Sequence, residues 1–97
     1  MNDNHEFSMT EIEASLRRSC IPPNMHGGIL RWIEDGTVPG SFLVAVISND
    51  FKDACFKADD YNALILPVYA RWFHNNAPAK CWGSLDNFVG WAKKLSL

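Results

Sequence analysis

The sequence predicts an all-α fold, a compact single-domain bundle of five or six short helices. Three observations carry that prediction. Apolar residues recur at helical spacing in segment after segment, and each segment is bounded by capping residues, glycine or proline. A single run, Phe42 to Ile47, is rich in β-branched residues. A buried strand is conceivable there, but no second strand exists to pair with it, and a lone strand leaves its backbone groups unsatisfied. Helix is therefore preferred. Finally, 97 residues with 47% hydrophobic and 21% charged composition are those of one globular domain. Such a chain buries roughly 60–65% of its unfolded surface.

Residues 1–9 lack periodicity and are expected to form a flexible N-terminus, with 10–97 as the single helical domain. Thr10 and Glu13 match a capping box for a first helix, Glu11 to Ser19, with Ile12 and Leu16 inward. Ile21-Pro22-Pro23 stops it. A second helix runs from about Pro23 or Asn24 to Asp35. Its stripe is Met25, Ile29, Trp32 and Ile33, and Gly36 stands at the left-handed C-terminal position. Gly27-Gly28 inside it reads as close backbone packing, as a late helix start, or as room for the backbone to approach a ligand. After the turn Thr37–Gly40, Ser41 is placed to cap the 42–47 run. Asn49-Asp50 breaks the chain and caps a short helix with Phe51, Ala54, Cys55 and Ala58 on one face. Asp59 or Asp60 caps the longest helix, about Tyr61 to His74, with Tyr61, Leu64, Ile65, Val68, Tyr69, Trp72 and Phe73 along one side. Pro67 within it predicts a kink near Ala63. Asn75 to Gly83 is a loop. Ser84 caps the last helix, whose face is Leu85, Phe88, Val89, Ala92 and Leu95, with Trp91 off that face.

Charge and composition narrow the function. The formal charge is −2 and the sequence pI about 5.8. The nine Lys and Arg residues are spread along the whole chain, so no block favours nucleic acid. Three cysteines without paired spacing argue against a disulfide framework and for a reducing compartment. The polar, acidic start MNDNHEF is not expected to serve as a secretory leader. An apolar run of six residues, 42–47, is far short of a membrane span. A cytoplasmic protein without membrane attachment is expected. The high apolar fraction also favours self-association as a homo-oligomer.

Catalytic patterns are weak. No C-x-x-C or H-x-x-x-H pair suggests a metal, and His74 with Cys81 across a loop is a poor substitute. Ser41 and Ser84 lack the G-x-S-x-G elbow and serve better as caps. Asp50, Asp53, Asp59 and Asp60 surround the 51–58 helix, where capping explains them more simply than acid–base chemistry. No phosphate-binding loop is present. The expectation is a non-enzymatic protein without metal or cofactor.

Four tryptophans are many for this length. Trp32 and Trp72 lie on core stripes. Trp82, in the loop beside Cys81 and Gly83, is either a plug closing one end of the bundle or a contact residue. The polar neighbours Lys80 and Ser84 favour contact.

The landmarks Ile21-Pro22, Gly28, Ile33-Glu34-Asp35-Gly36, Pro39-Gly40-x-Phe42-Leu43, Val46-x-x-Asn49-Asp50, Ala58-Asp59, Asn62 and Ala77-Pro78-x-x-Cys81-Trp82-Gly83-Ser84 run from residue 21 to 84, within a match that spans about residues 21–91. Together they resemble the pattern of a group of small proteins encoded by bacteriophages and prophages. The group more often has an acidic residue at position 41 and an ordinary helix former at 67. The resemblance implies a phage accessory protein in the bacterial cytoplasm, and such proteins commonly bind a host protein, including one of a defence system. The expected surface combines Gly36, Pro39, Gly40 and Phe42 of the first turn with the Asn49-Asp50 corner. Pro78, Cys81, Trp82 and Gly83 of the loop, together with Asp59, complete it. The alternative is a small-ligand binder that sequesters a nucleotide signal.

Overall fold

Seven α-helices, one turn of 3-10 helix and no strand make up the residues that the computed structural model describes, 8–96. Most of the expected flexible start, 1–7, lies outside the described residues, and Met9 is already helical. The helices are α1 (Met9–Arg17), α2 (Pro23–Asp35), α3 (Ser41–Ile47), α4 (Phe51–Lys57), α5 (Asp60–Leu64), α6 (Leu66–Asn76) and α7 (Leu85–Ser96). The 3-10 turn is Ala79–Cys81. The all-α prediction holds, and the 42–47 run is helix. No described helix is long and apolar enough to cross a membrane.

Local chemistry sets most boundaries. Ser8, rather than Thr10, caps α1 by accepting the Glu11 N–H at 3.4 Å. Gly36 ends α2 at φ 69° with its N–H on Trp32 O. Gly40, rather than Ser41, is the cap residue of α3, and no side chain bonds there. Asp59 Oδ1 accepts the Asn62 N–H at 2.8 Å to start α5. Ser84 Oγ accepts the Asn87 N–H at 3.0 Å to start α7.

The helix expected over 61–74 is two helices, which raises the count to seven. The break falls at Ile65 (φ −111°, ψ 21°), beyond the kink expected near Ala63. Pro67 then occupies the first turn of α6, where its missing N–H has no intrahelical partner to lose. The interruption turns Tyr61 and Leu64 outward, at 49% and 80% exposure. It also buries Asn62, whose Oδ1 accepts the Tyr69 hydroxyl at 2.7 Å. Burial, with Asp59 nearby, pushes the Tyr69 phenol well above its ordinary pKa.

Trp32 stands at the centre of the core and is fully buried. Its Nε1–H donates to Cys81 O at 2.9 Å, and its own carbonyl accepts the Trp91 Nε1–H at 2.9 Å. The Trp32 and Phe88 rings stack at 4.9 Å. One side chain thereby joins α2, the 3-10 turn and α7. Trp91 is buried, contrary to the expected face of α7, while Leu85 and Val89 are exposed. A tryptophan offers more apolar area than either and also has an N–H to satisfy, so its burial decides the rotation of the helix. Elsewhere, Trp72 donates to Ser15 Oγ at 2.9 Å and ties α6 to α1.

The glycine pair in α2 serves packing. A Cβ on Gly28 would stand 3.3 Å from Leu43 Cδ1, against α3, whereas one on Gly27 would meet only the flexible end of Arg31, at 3.0 Å. Gly27→Ala is expected to stabilise the protein by about 0.5–1 kcal/mol through helix propensity. Gly28→Ala should give no gain, because the same propensity is offset by crowding against a packed side chain. Parallel urea melts of the two variants check this.

Candidate functional site

The Asn49-Asp50 corner forms where α3 ends. Asn49 adopts a left-handed conformation, φ 63°. Its N–H reaches Val46 O at 3.2 Å, and the Asp50 N–H reaches Ala45 O at 2.8 Å. This double closure satisfies the last carbonyls of α3. Asp50 Oδ1 then accepts the Asp53 N–H at 3.1 Å and starts α4, so α3 and α4 fold into a hairpin. The loop after the 3-10 turn docks on its end. Gly83, at φ 100°, donates its N–H to Ile47 O at 2.7 Å. Asn87 Nδ2 holds Trp82 O at 2.8 Å.

These contacts create a groove of about 90 Å³ between α3, α4, α6 and the loop. Buried Ala45 and Ala54 form its floor. Val46, Leu66, Ala70 and Trp82 form its walls, and Asn49, Asp50 and Phe51 its remaining rim. Phe51 is 72% exposed. Trp82 is half-buried and stacks on Phe73 at 5.5 Å. It is therefore both a packing residue and a groove wall. Asp50 is the single ionisable group in the lining.

The structure brings together three of the expected site residues, Asn49, Asp50 and Trp82, with Gly83 holding the loop in place. The others lie elsewhere. Gly36 is buried at the end of α2. Pro39 lies on the side that faces Gly28, and Gly40 begins α3. Phe42, expected at the surface, is a core residue set edge-on against Tyr69 at 5.3 Å. Asp59 caps α5, and Pro78 precedes the 3-10 turn. Cys81 is fully buried and offers no surface to a partner.

Sequence reasoning missed Ala45, Val46, Phe51, Ala54, Leu66 and Ala70 as groove residues. The expected face of α4 put Phe51 and Cys55 inward, and both are exposed. A signal was present in Phe51 itself, an aromatic directly after a chain-reversing corner.

Burial pushes the Cys81 thiol up to about 12, so it carries no reactive thiolate at neutral pH. Cys20 and Cys55 are exposed. A thiol-specific chromogenic reagent at pH 8 is expected to titrate two thiols in the native protein and the third only in denaturant. Rapid labelling of all three without denaturant would contradict the burial. No group of three or more potential metal ligands occurs among the described residues.

Comparison with protein-family models, with curated proteins and with solved structures finds no match for this chain.

Proposed function

We propose that this protein acts by binding, as a small accessory protein of the phage or prophage kind in the bacterial cytoplasm. Its α3–α4–α6 groove takes one apolar side chain of a host protein. The observation that carries this reading is the groove itself, which gathers Trp82, exposed Phe51 and the Asn49-Asp50 corner around an alanine floor. Exposed aromatics beside a desolvated pocket are the usual anchors of protein interfaces. Its volume suits one side chain and is below the roughly 300 Å³ that small-molecule pockets start from. With Asp50 as its single ionisable group, the lining offers no acid–base pair, which supports a non-catalytic role.

Ala70→Arg tests it. Ala70 is exposed on α6, so stability should stay within about 0.5 kcal/mol, while the new side chain occupies the groove. A host protein captured by wild-type protein is expected to be lost with Ala70→Arg and Phe51→Ala, and kept with Leu85→Ala on α7. Retention by both groove variants would reject the reading. A homodimer through the same groove is the competing occupant, and it would show as a dimer-to-monomer shift in light scattering on Ala70→Arg.

A further inference from the structure

The elbow between α1 and α2 holds a second, larger cavity of about 450 Å³, within the range of small-molecule sites. Ile21, Pro23 and Leu30 give it an apolar side, and Glu13, Arg17 and His26 a polar one. Its backbone is held from several directions. Ser19 Oγ donates to Leu16 O at 2.7 Å and accepts the Ile21 N–H at 3.1 Å. The Tyr61 hydroxyl donates to Cys20 O at 3.0 Å. His26 Nε2 lies 2.8 Å from Ile21 O. A carbonyl only accepts, so Nε2 carries the hydrogen, and the imidazole is fixed to the elbow. The backbone of the elbow is thus fixed, which lowers part of the ordering cost of binding, while the Glu13 and Arg17 side chains stay exposed.

Arg17 brings a guanidinium to the lining. It meets Glu13 through one nitrogen, Nη1 to Oε2 at 3.5 Å, with the two side chains 62% and 55% exposed. Exposed pairs of this kind are weak. A guanidinium has five donors in a planar fork that matches a carboxylate in two-point geometry. We propose that the elbow binds a small organic carboxylate. Its apolar body lies on exposed Pro23 and half-buried Leu30, with buried Ile21 behind them, and its head replaces Glu13 on Arg17. This site is separate from the groove and stands whether or not the groove binds a protein.

The test titrates the full ¹⁵N-labelled chain with benzoate, following amide shifts, with benzamide (no charge) and acetate (no apolar body) as comparisons. Benzoate is expected to give saturable shifts at Ile21, His26 and Leu30, with both comparisons at least about tenfold weaker. Arg17→Gln should weaken benzoate at least about tenfold. Glu13→Gln should tighten it about two- to fivefold by removing the competing carboxylate. Both positions are exposed on α1, and matching amide spectra of the free variants verify the fold. Four results overturn the proposal: no saturable benzoate shift, equal binding of benzamide or acetate, indifference to Arg17→Gln, or weaker binding in Glu13→Gln. The last would point instead to a cationic or zwitterionic ligand held by Glu13.

Discussion

Trp32→Ala is expected to abolish cooperative folding. Truncating a fully buried tryptophan in a packed core costs about 3–5 kcal/mol. Trp32 adds a second loss. Its indole N–H satisfies Cys81 O, and a buried carbonyl left without a partner costs roughly 1–3 kcal/mol more. The stacking with Phe88 goes as well. The sum is comparable to the whole stability of a domain this size, about 5–10 kcal/mol. Urea melts followed by far-ultraviolet circular dichroism should show either no native baseline or a midpoint close to zero denaturant. Trp32→Phe separates the contributions. It keeps a ring against Phe88 and leaves Cys81 O unpaired, so it should remain folded and lose about 2–4 kcal/mol. A Trp32→Ala protein within about 1 kcal/mol of wild type would remove this residue from the centre of the fold.

That prediction rests on a part of the fold that was legible from local signals. Ile29, Trp32 and Ile33 follow helical spacing, and Gly36 marks the helix end, so α2 reads directly from the chain. The caps at Asp50 and Ser84 read equally well and Asp59 was one of two candidates for its helix, whereas Ser8 and Gly40 took the places expected of Thr10 and Ser41. What failed was the direction of faces on helices shorter than about three turns. On α4, seven residues long, Phe51 and Ala54 are equally good candidates for the core, and tertiary packing against α3 chose the smaller one. On α7 the pattern allowed two rotations, and an N–H that needed the Trp32 carbonyl selected between them. Pro67 was legible as a disturbance. Whether a proline kinks a helix or starts a new one depends on what the freed residues then contact, here Asn62 with Tyr69. The candidate site was half legible for the same reason. The Asn49-Asp50 corner and Trp82 carry local signatures, while Leu66 and Ala70 enter the groove only through the way α6 packs.

Trp82→Ala is expected to give a folded protein that has lost its partner. The loop backbone does not depend on the indole. Gly83 N–H holds Ile47 O, Asn87 Nδ2 holds Trp82 O, and Trp32 holds Cys81 O. The indole contributes its stacking on Phe73 and a half-buried surface. The cost in stability should therefore fall below that of a full core truncation, at about 1.5–3 kcal/mol. The groove loses far more, because one wall is removed and its floor of Ala45 and Ala54 opens to water. Removing a central aromatic anchor typically weakens an interface by 2 kcal/mol or more, about thirtyfold. Trp82→Phe should recover most of the stability through stacking on Phe73, with binding between the two. Urea melts and capture of the same host protein, run together on the three proteins, read both quantities. Unchanged capture by a folded Trp82→Ala variant would exclude the groove as the docking site. A loss of 4 kcal/mol or more with capture retained would make Trp82 a core plug.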